Sequence, residues 1–152
     1  HAIAALAEFK GVKRRMQLRG TVNNIRVYDD FAHHPTAIST TLDGLRKNVG
    51  KQKITAILEP RSNTMRLGVH KEKLAASLAE ADEVLLYQPA DVDWDMGGVI
   101  NALGDKARLF NKIDEIVETV SKDSSASHVL IMSNGGFAGI HEKMLQALEE
   151  NS

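Results

Sequence analysis

Five short apolar runs recur along this chain at residues 25–28, 54–58, 84–87, 107–110 and 129–132, with starts 29, 30, 23 and 22 residues apart. Each interval has room for one helix and two loops. Helical spacing of apolar residues fills the intervals at 36–48 (Ile38, Leu42, Leu45), 70–81 (Leu74, Leu78), a weaker 96–103, and 114–121 (Ile116, Val117, Val120). A last such segment, 140–150, carries Met144, Leu145 and Leu148. Strands that alternate with helices at this spacing run parallel, because each helix carries the chain back over the sheet. Ahead of the first run, 15–22 alternates loosely and Asn23-Asn24 supplies a turn that tolerates positive φ. The expected fold class is therefore α/β: a Rossmann-like three-layer domain with a mainly parallel sheet and an N-terminal hairpin. One domain over 1–152 is the natural count for this length.

Composition narrows the function classes. With 43% hydrophobic and 26% charged residues the chain can fill one core and keep a wet surface. Its 19 basic residues against 20 acidic ones give no general attraction to nucleic acid or anionic lipid. The absence of cysteine excludes a disulfide framework, a thiolate metal site and a cysteine nucleophile. No apolar run approaches the roughly 18 residues that span a bilayer, and the N-terminus lacks a secretory layout, so the expectation is no membrane and a cytoplasmic setting. The opening residues place Ile3, Leu6 and Phe9 at helical spacing with neither an initiator Met nor a cap. They read as a piece of something longer.

In an open parallel sheet, ligands collect at the carboxyl ends of the strands, beside helix N-termini. The unusual chemistry of this chain falls there. After the first core strand comes Asp29-Asp30-Phe31-Ala32-His33-His34-Pro35, and after the second Glu59-Pro60-Arg61-Ser62-Asn63-Thr64-Met65-Arg66. The third is followed by Gln88-Pro89-Ala90-Asp91, the fifth by Ser133-Asn134-Gly135-Gly136-Phe137-Ala138-Gly139. Carboxylates can accept ribose hydroxyls, and imidazoles can bond a phosphate or a purine edge. The plainer alternative is that the Asp pair forms turns and the His pair caps the next helix. Arg61 and Arg66 offer forked guanidinium groups suited to carboxylate or phosphate, or else they pair with Glu59 or Asp29 in a solvated loop. The glycine-lined turn brings backbone N–H groups close together, although a tight strand-to-helix connection explains most of it. No metal site is expected, since adjacent His33 and His34 diverge and lack a third ligand at suitable spacing. There is no phosphate-binding Gly-x-x-x-x-Gly-Lys-Ser/Thr loop and no Gly-x-Ser-x-Gly or His-Glu-x-x-His. The chain carries parts of a site.

Two strings bring a family into view. Gly11-Val12-Lys13-Arg14-Arg15-Met16 followed by Asp29-Asp30-Phe31-Ala32-His33-His34-Pro35-Thr36 resembles the C-terminal domain of the Mur ligases, ATP-dependent enzymes that join amino acids or peptides to UDP-N-acetylmuramate. The Glu59 to Gly68 and Met132 to His141 segments resemble the branch that attaches a murein tripeptide in peptidoglycan recycling. The resemblance implies one domain of a three-domain enzyme, inactive alone. It implies that Arg15 approaches the ATP phosphates and that Asp30 and His33, with His34 in the nearest branch, contact the nucleotide. Arg61, Asn63, Thr64 and Arg66 would form a tripeptide loop that Asn134 faces across the sheet. ATP and Mg²⁺, the latter held mainly by the central domain, are the implied cofactors. UDP-N-acetylmuramate, the tripeptide and the N-terminal and central domains of the same chain are the implied partners. Other readings are the C-terminal domain of the L-alanine-adding ligase, a stand-alone nucleotide or metabolite module, or an interaction surface.

Overall fold

Asn23 and Asn24 adopt φ of 54° and 68°, the paired left-handed geometry that closes a tight hairpin with the twist of its strands. They join β1 (Gln17–Val22) to β2 (Ile25–Asp30), which pair antiparallel. The register shifts between Leu18 and Gly20, leaving Arg19 as the extra residue of a bulge. The computed structural model describes residues 16–32, 35–59, 71–88, 97–123, 125–133 and 137–150. The helical segment read at the start of the chain lies outside them.

The remaining strands are β3 (Ile54–Leu58), β4 (Glu83–Tyr87), β5 (Ala107–Phe110) and β6 (His128–Met132). They join β2 in one six-stranded sheet of order β1-β2-β6-β3-β4-β5, parallel from β2 onward. The last strand in the sequence thus lies in the middle of the sheet. Strands β3 and β6 are buried along their whole length, which is why they read as nearly continuous apolar runs, Thr55 and His128 excepted. Helices α1 (Pro35–Val49), α2 (Lys71–Ser77) and α3 (Gly97–Leu103) cover one face, and α4 (Ile113–Ser121) and α5 (Ile140–Glu150) the other.

Alternation along the strands divides the core. Ala56, Leu58, Leu86, Leu130 and Met132 meet Ile38, Leu42 and Leu45 of α1 and Leu78 on the first face. Val27, Ile57, Leu85, Val129 and Ile131 meet Ile116, Val120, Ile140, Met144 and Leu148 on the second. Two boundaries differ from the sequence reading. The first core strand runs on to Asp30, and α2 stops at Ser77, with turns following it. Pro35 opens α1, the helical position at which its missing N–H costs nothing.

The amino ends of the parallel strands are tied by charge. Arg46 donates to the carbonyls of Gly50, Gln52 and Glu80 and to Asp82 Oδ2 at 2.8 Å. Burial opposes ionisation of Asp82, but the hydrogen bonds from Arg46 and from the Ile54 amide hold its pKa below the usual carboxylate value. Lys53 reaches Asp123 at 2.6 Å and Glu83 at 3.3 Å. Those contacts outweigh its partial desolvation and raise its pKa, while that of Asp123 is lowered against the opposing effect of burial. His128 stacks on Tyr28 and bonds its hydroxyl at 2.9 Å. Burial, then Arg26 and Arg46, lowers its pKa and favours the neutral ring.

Candidate functional site

The carboxyl ends of β2, β6 and β3 lie side by side. Ser133 N–H donates to the Asp30 carbonyl at 3.2 Å, and Glu59 N–H donates to the Met132 carbonyl at 3.1 Å. Asp30, Ser133 and Glu59 are all buried at this rim. Adjacent strands are spaced by about 4.8 Å, so three neighbouring strand ends span about 10 Å. From these three ends issue the Asp-Asp-Phe-Ala-His-His segment, the glycine-rich segment and the Arg61 to Arg66 segment. Sequence places these motifs more than 25 residues apart along the chain; topology roots them together.

Asp30 organises the rim. Its Oδ2 accepts the Met16 amide at 2.8 Å and its Oδ1 the Ala32 amide at 2.8 Å, with Thr41 Oγ1 at 3.4 Å from Oδ1. Met16 follows Arg15 in the chain and Ala32 precedes His33, so one carboxylate fixes the backbone next to both. The bond to Ala32 is a local Asx-type turn, which gives the turn-forming reading of Asp30 real content. Beside Asp30 a groove of about 550 Å³ runs between β2 and α1, floored by Arg26 and Tyr28 and walled by Thr40, Thr41 and Asn48.

Asp29 points to the opposite face. Its Oδ1 lies 3.0 Å from His141 Nε2 at the start of α5, and its Oδ2 lies 3.6 Å from the Arg19 guanidinium on β1. Asp29 and His141 are 3% and 5% exposed, so this pair is interior. The sequence reading did not assign His141 a role. Its signal was a histidine on the buried stripe with Met144 and Leu148, matched by an aspartate on the inward stripe of Ile25 and Val27.

Of the residues predicted for the site, Asp30 is described, and it stands at the rim. Arg15, His33, His34, Arg61, Asn63, Thr64, Arg66 and Asn134 lie outside the described residues. Among the described residues no group of three His, Asp or Glu could hold a metal ion. No helix among them is long and apolar enough to cross a membrane.

A mainly parallel sheet with helices on both faces, from whose neighbouring strand ends three motif-bearing segments issue, is a doubly wound architecture, and the sequence places it in a family. The model of the family "Mur ligase, glutamate ligase domain" matches residues 14–135, and the chain belongs to that family. It is 48% identical, over 99% of its length and 34% of the relative's, to the UDP-N-acetylmuramate--L-alanyl-gamma-D-glutamyl-meso-2,6-diaminoheptandioate ligase of Escherichia coli K12. A UDP-N-acetylmuramate--L-alanine ligase of Streptomyces coelicolor is 34% identical over 87% of this chain and 28% of its own. Among solved structures, a murein peptide ligase of Psychrobacter arcticus superposes with a TM-score of 0.83 at 46% identity, covering 97% of this chain and 32% of that one. The chain thus spans about a third of the length of the relatives it matches.

Proposed function

We propose that this chain is the C-terminal domain of a three-domain, ATP-dependent ligase that joins a murein tripeptide to UDP-N-acetylmuramate in peptidoglycan recycling. The observation that carries the reading is the common rim of β2, β6 and β3, where the family's motif segments are rooted beside the buried Asp30. Identity to the tripeptide ligase, 48% against 34% for the L-alanine ligase, favours the peptide as the incoming amine.

The γ-phosphoryl group of ATP would pass to the lactyl carboxylate of UDP-N-acetylmuramate, giving ADP and an acyl phosphate. The amine of the tripeptide's L-Ala would then attack the acyl carbon, and cleavage of its bond to the phosphate oxygen releases inorganic phosphate and leaves the amide. The residues of this chain position and neutralise. Arg15 offsets phosphate charge, Asp30, His33 and His34 hold the nucleoside, and Arg61, Asn63, Thr64 and Arg66 present the peptide, with Asn134 facing them. The groove beside Asp30 gives the nucleoside room. Closure onto the other domains excludes water from the activated carboxylate. Mg²⁺ belongs to the central domain in this reading. The isolated chain is expected to be inactive.

The test is made in the full-length enzyme. Arg15→Ala and Asp30→Ala should each lower formation of UDP-muramyl-tripeptide; parental rates in both would refute the assigned roles. Competition between L-alanine and the tripeptide decides the amine, with preferential L-alanine incorporation overturning the peptide assignment.

A further inference from the structure

On the sheet's second face, in line with Val27 on β2 and paired with Ile131 of β6, Asp29 is a buried acidic residue that the ligase reading does not use. A carboxylate only accepts hydrogen bonds, so His141 Nε2, 3.0 Å away, donates to it. Arg19, the extra residue of the β1 bulge, approaches the other oxygen at 3.6 Å. An apolar residue would serve packing here at least as well, because a buried ion pair rarely stabilises more than a hydrophobic replacement. What the polar group adds is direction.

We propose that Asp29 and His141 form a positioning clamp for the reaction: one carboxylate fixes the start of β1, the end of β2 and the start of α5 relative to one another. Each of those segments adjoins a motif in sequence. Arg15 lies four residues before Arg19, Asp30 directly follows Asp29, and Asn134 lies seven residues before His141. The clamp rests on the ligase reading, since it is through those motifs that it reaches substrate. It holds in one position Asp30, to whose carboxylate and carbonyl the amides of Met16 and Ser133, the described residues next to two of those motifs, are respectively bonded.

The test uses the full-length enzyme with three variants: His141→Leu, His141→Gln, and the double Asp29→Leu/His141→Leu, which replaces both interior polar partners and leaves Arg19 on the partly exposed bulge. The double variant should keep the parental Tm or exceed it, while kcat/KM for ATP and tripeptide falls by about tenfold or more, the effect of one charged hydrogen bond. KM for UDP-N-acetylmuramate should not move. His141→Gln, whose amide can still donate to Asp29, should recover activity to within about threefold of parental, where His141→Leu does not. Parental kcat/KM in the double variant, or a loss in every variant that tracks Tm, would overturn the clamp. If the double variant does not fold, the ratio of Gln to Leu at position 141 decides alone. Should the parent enzyme fail to ligate tripeptide, the ligase reading falls separately. Hydrogen exchange at the Ser133 and Met16 amides then tests the clamp: faster exchange in His141→Leu supports it, and unchanged exchange refutes it.

Discussion

The two ends of the parallel sheet are both rich in charge, yet they use it differently. At the amino end Arg46, Lys53, Asp82, Glu83 and Asp123 bind one another and nearby carbonyls, partly in solvent. At the carboxyl end Asp29 and Asp30 are buried; Asp30 accepts the backbone amides of Met16 and Ala32, and Asp29 lies against His141 and Arg19. The first arrangement fastens strands and turns. The second fixes the roots of loops. Charge at a strand end is thus a poor guide to a site by itself; what separates the two ends is that the amino-end charges pair with one another partly in solvent, whereas the carboxyl-end carboxylates are buried and hold backbone amides and an imidazole.

Substitutions should separate these roles, and the largest effect is expected at the rim. Asp30→Asn keeps the shape but turns a donor toward one of two backbone amides. In the full-length enzyme it should lower kcat/KM by about 10- to 100-fold and destabilise the fold by about 1–3 kcal/mol, read by steady-state assay and denaturant titration. Comparable activity in Asp30→Asn and parent would erase the distinction.

Acid should attack the amino end next. Asp82 and Asp123 have lowered folded pKa values, so their contribution is complete above the unfolded value of about 4 and is lost as pH falls through the lower folded ones. His128, also lowered, begins to withdraw stability below its unfolded value of about 6.5. Lys53 is raised, so its contribution persists below about pH 10.4 and is lost as pH rises through its folded value. Urea midpoints measured from pH 3 to 11 should trace a plateau with both shoulders. Restoring the neutral-pH midpoint at pH 3 without added ligand would contradict the acid limb.

Arg46→Ala removes a cation that bridges several carbonyls and Asp82. Because the side chain is partly exposed, the expected loss is about 1–2 kcal/mol, with full-length activity within about twofold of parental. A tenfold activity loss there would mean that the amino end takes part in the site. The smallest effect belongs to the hairpin. Asn24→Val places a β-branched residue at positive φ and should cost about 1 kcal/mol, whereas Asn24→Gly should be close to neutral; thermal melts of the two variants give the comparison.

Most of the fold was legible because parallel strands buried on both faces must be apolar throughout, and 54–58 and 129–132 could hardly be anything else. The hairpin was legible because consecutive asparagines at 23 and 24 tolerate the backbone that closes it. The end of β2 was not, since Asp29 and Asp30 resemble turn formers and nothing local shows that they pair with Ile131 and Met132. At the candidate site, motif chemistry singled out Asp30 but not what it holds: its partners at Met16 and Ala32 are backbone amides, which leave no side-chain signature. Asp29 and His141 are 112 residues apart, and only the sheet order brings them together.

That order has a consequence for how the molecule comes to exist. Because β6 fills the gap between β2 and β3, Arg26 and His128 become neighbours across about a hundred residues of chain. Until β6 arrives, the facing edges of β2 and β3 lack their native partners. Such non-local pairing closes slowly and leaves edges exposed meanwhile. During synthesis the rim can form only after residue 132 has emerged, so a chain stopped before β6 would have an aggregation-prone gap where the finished domain has its candidate site.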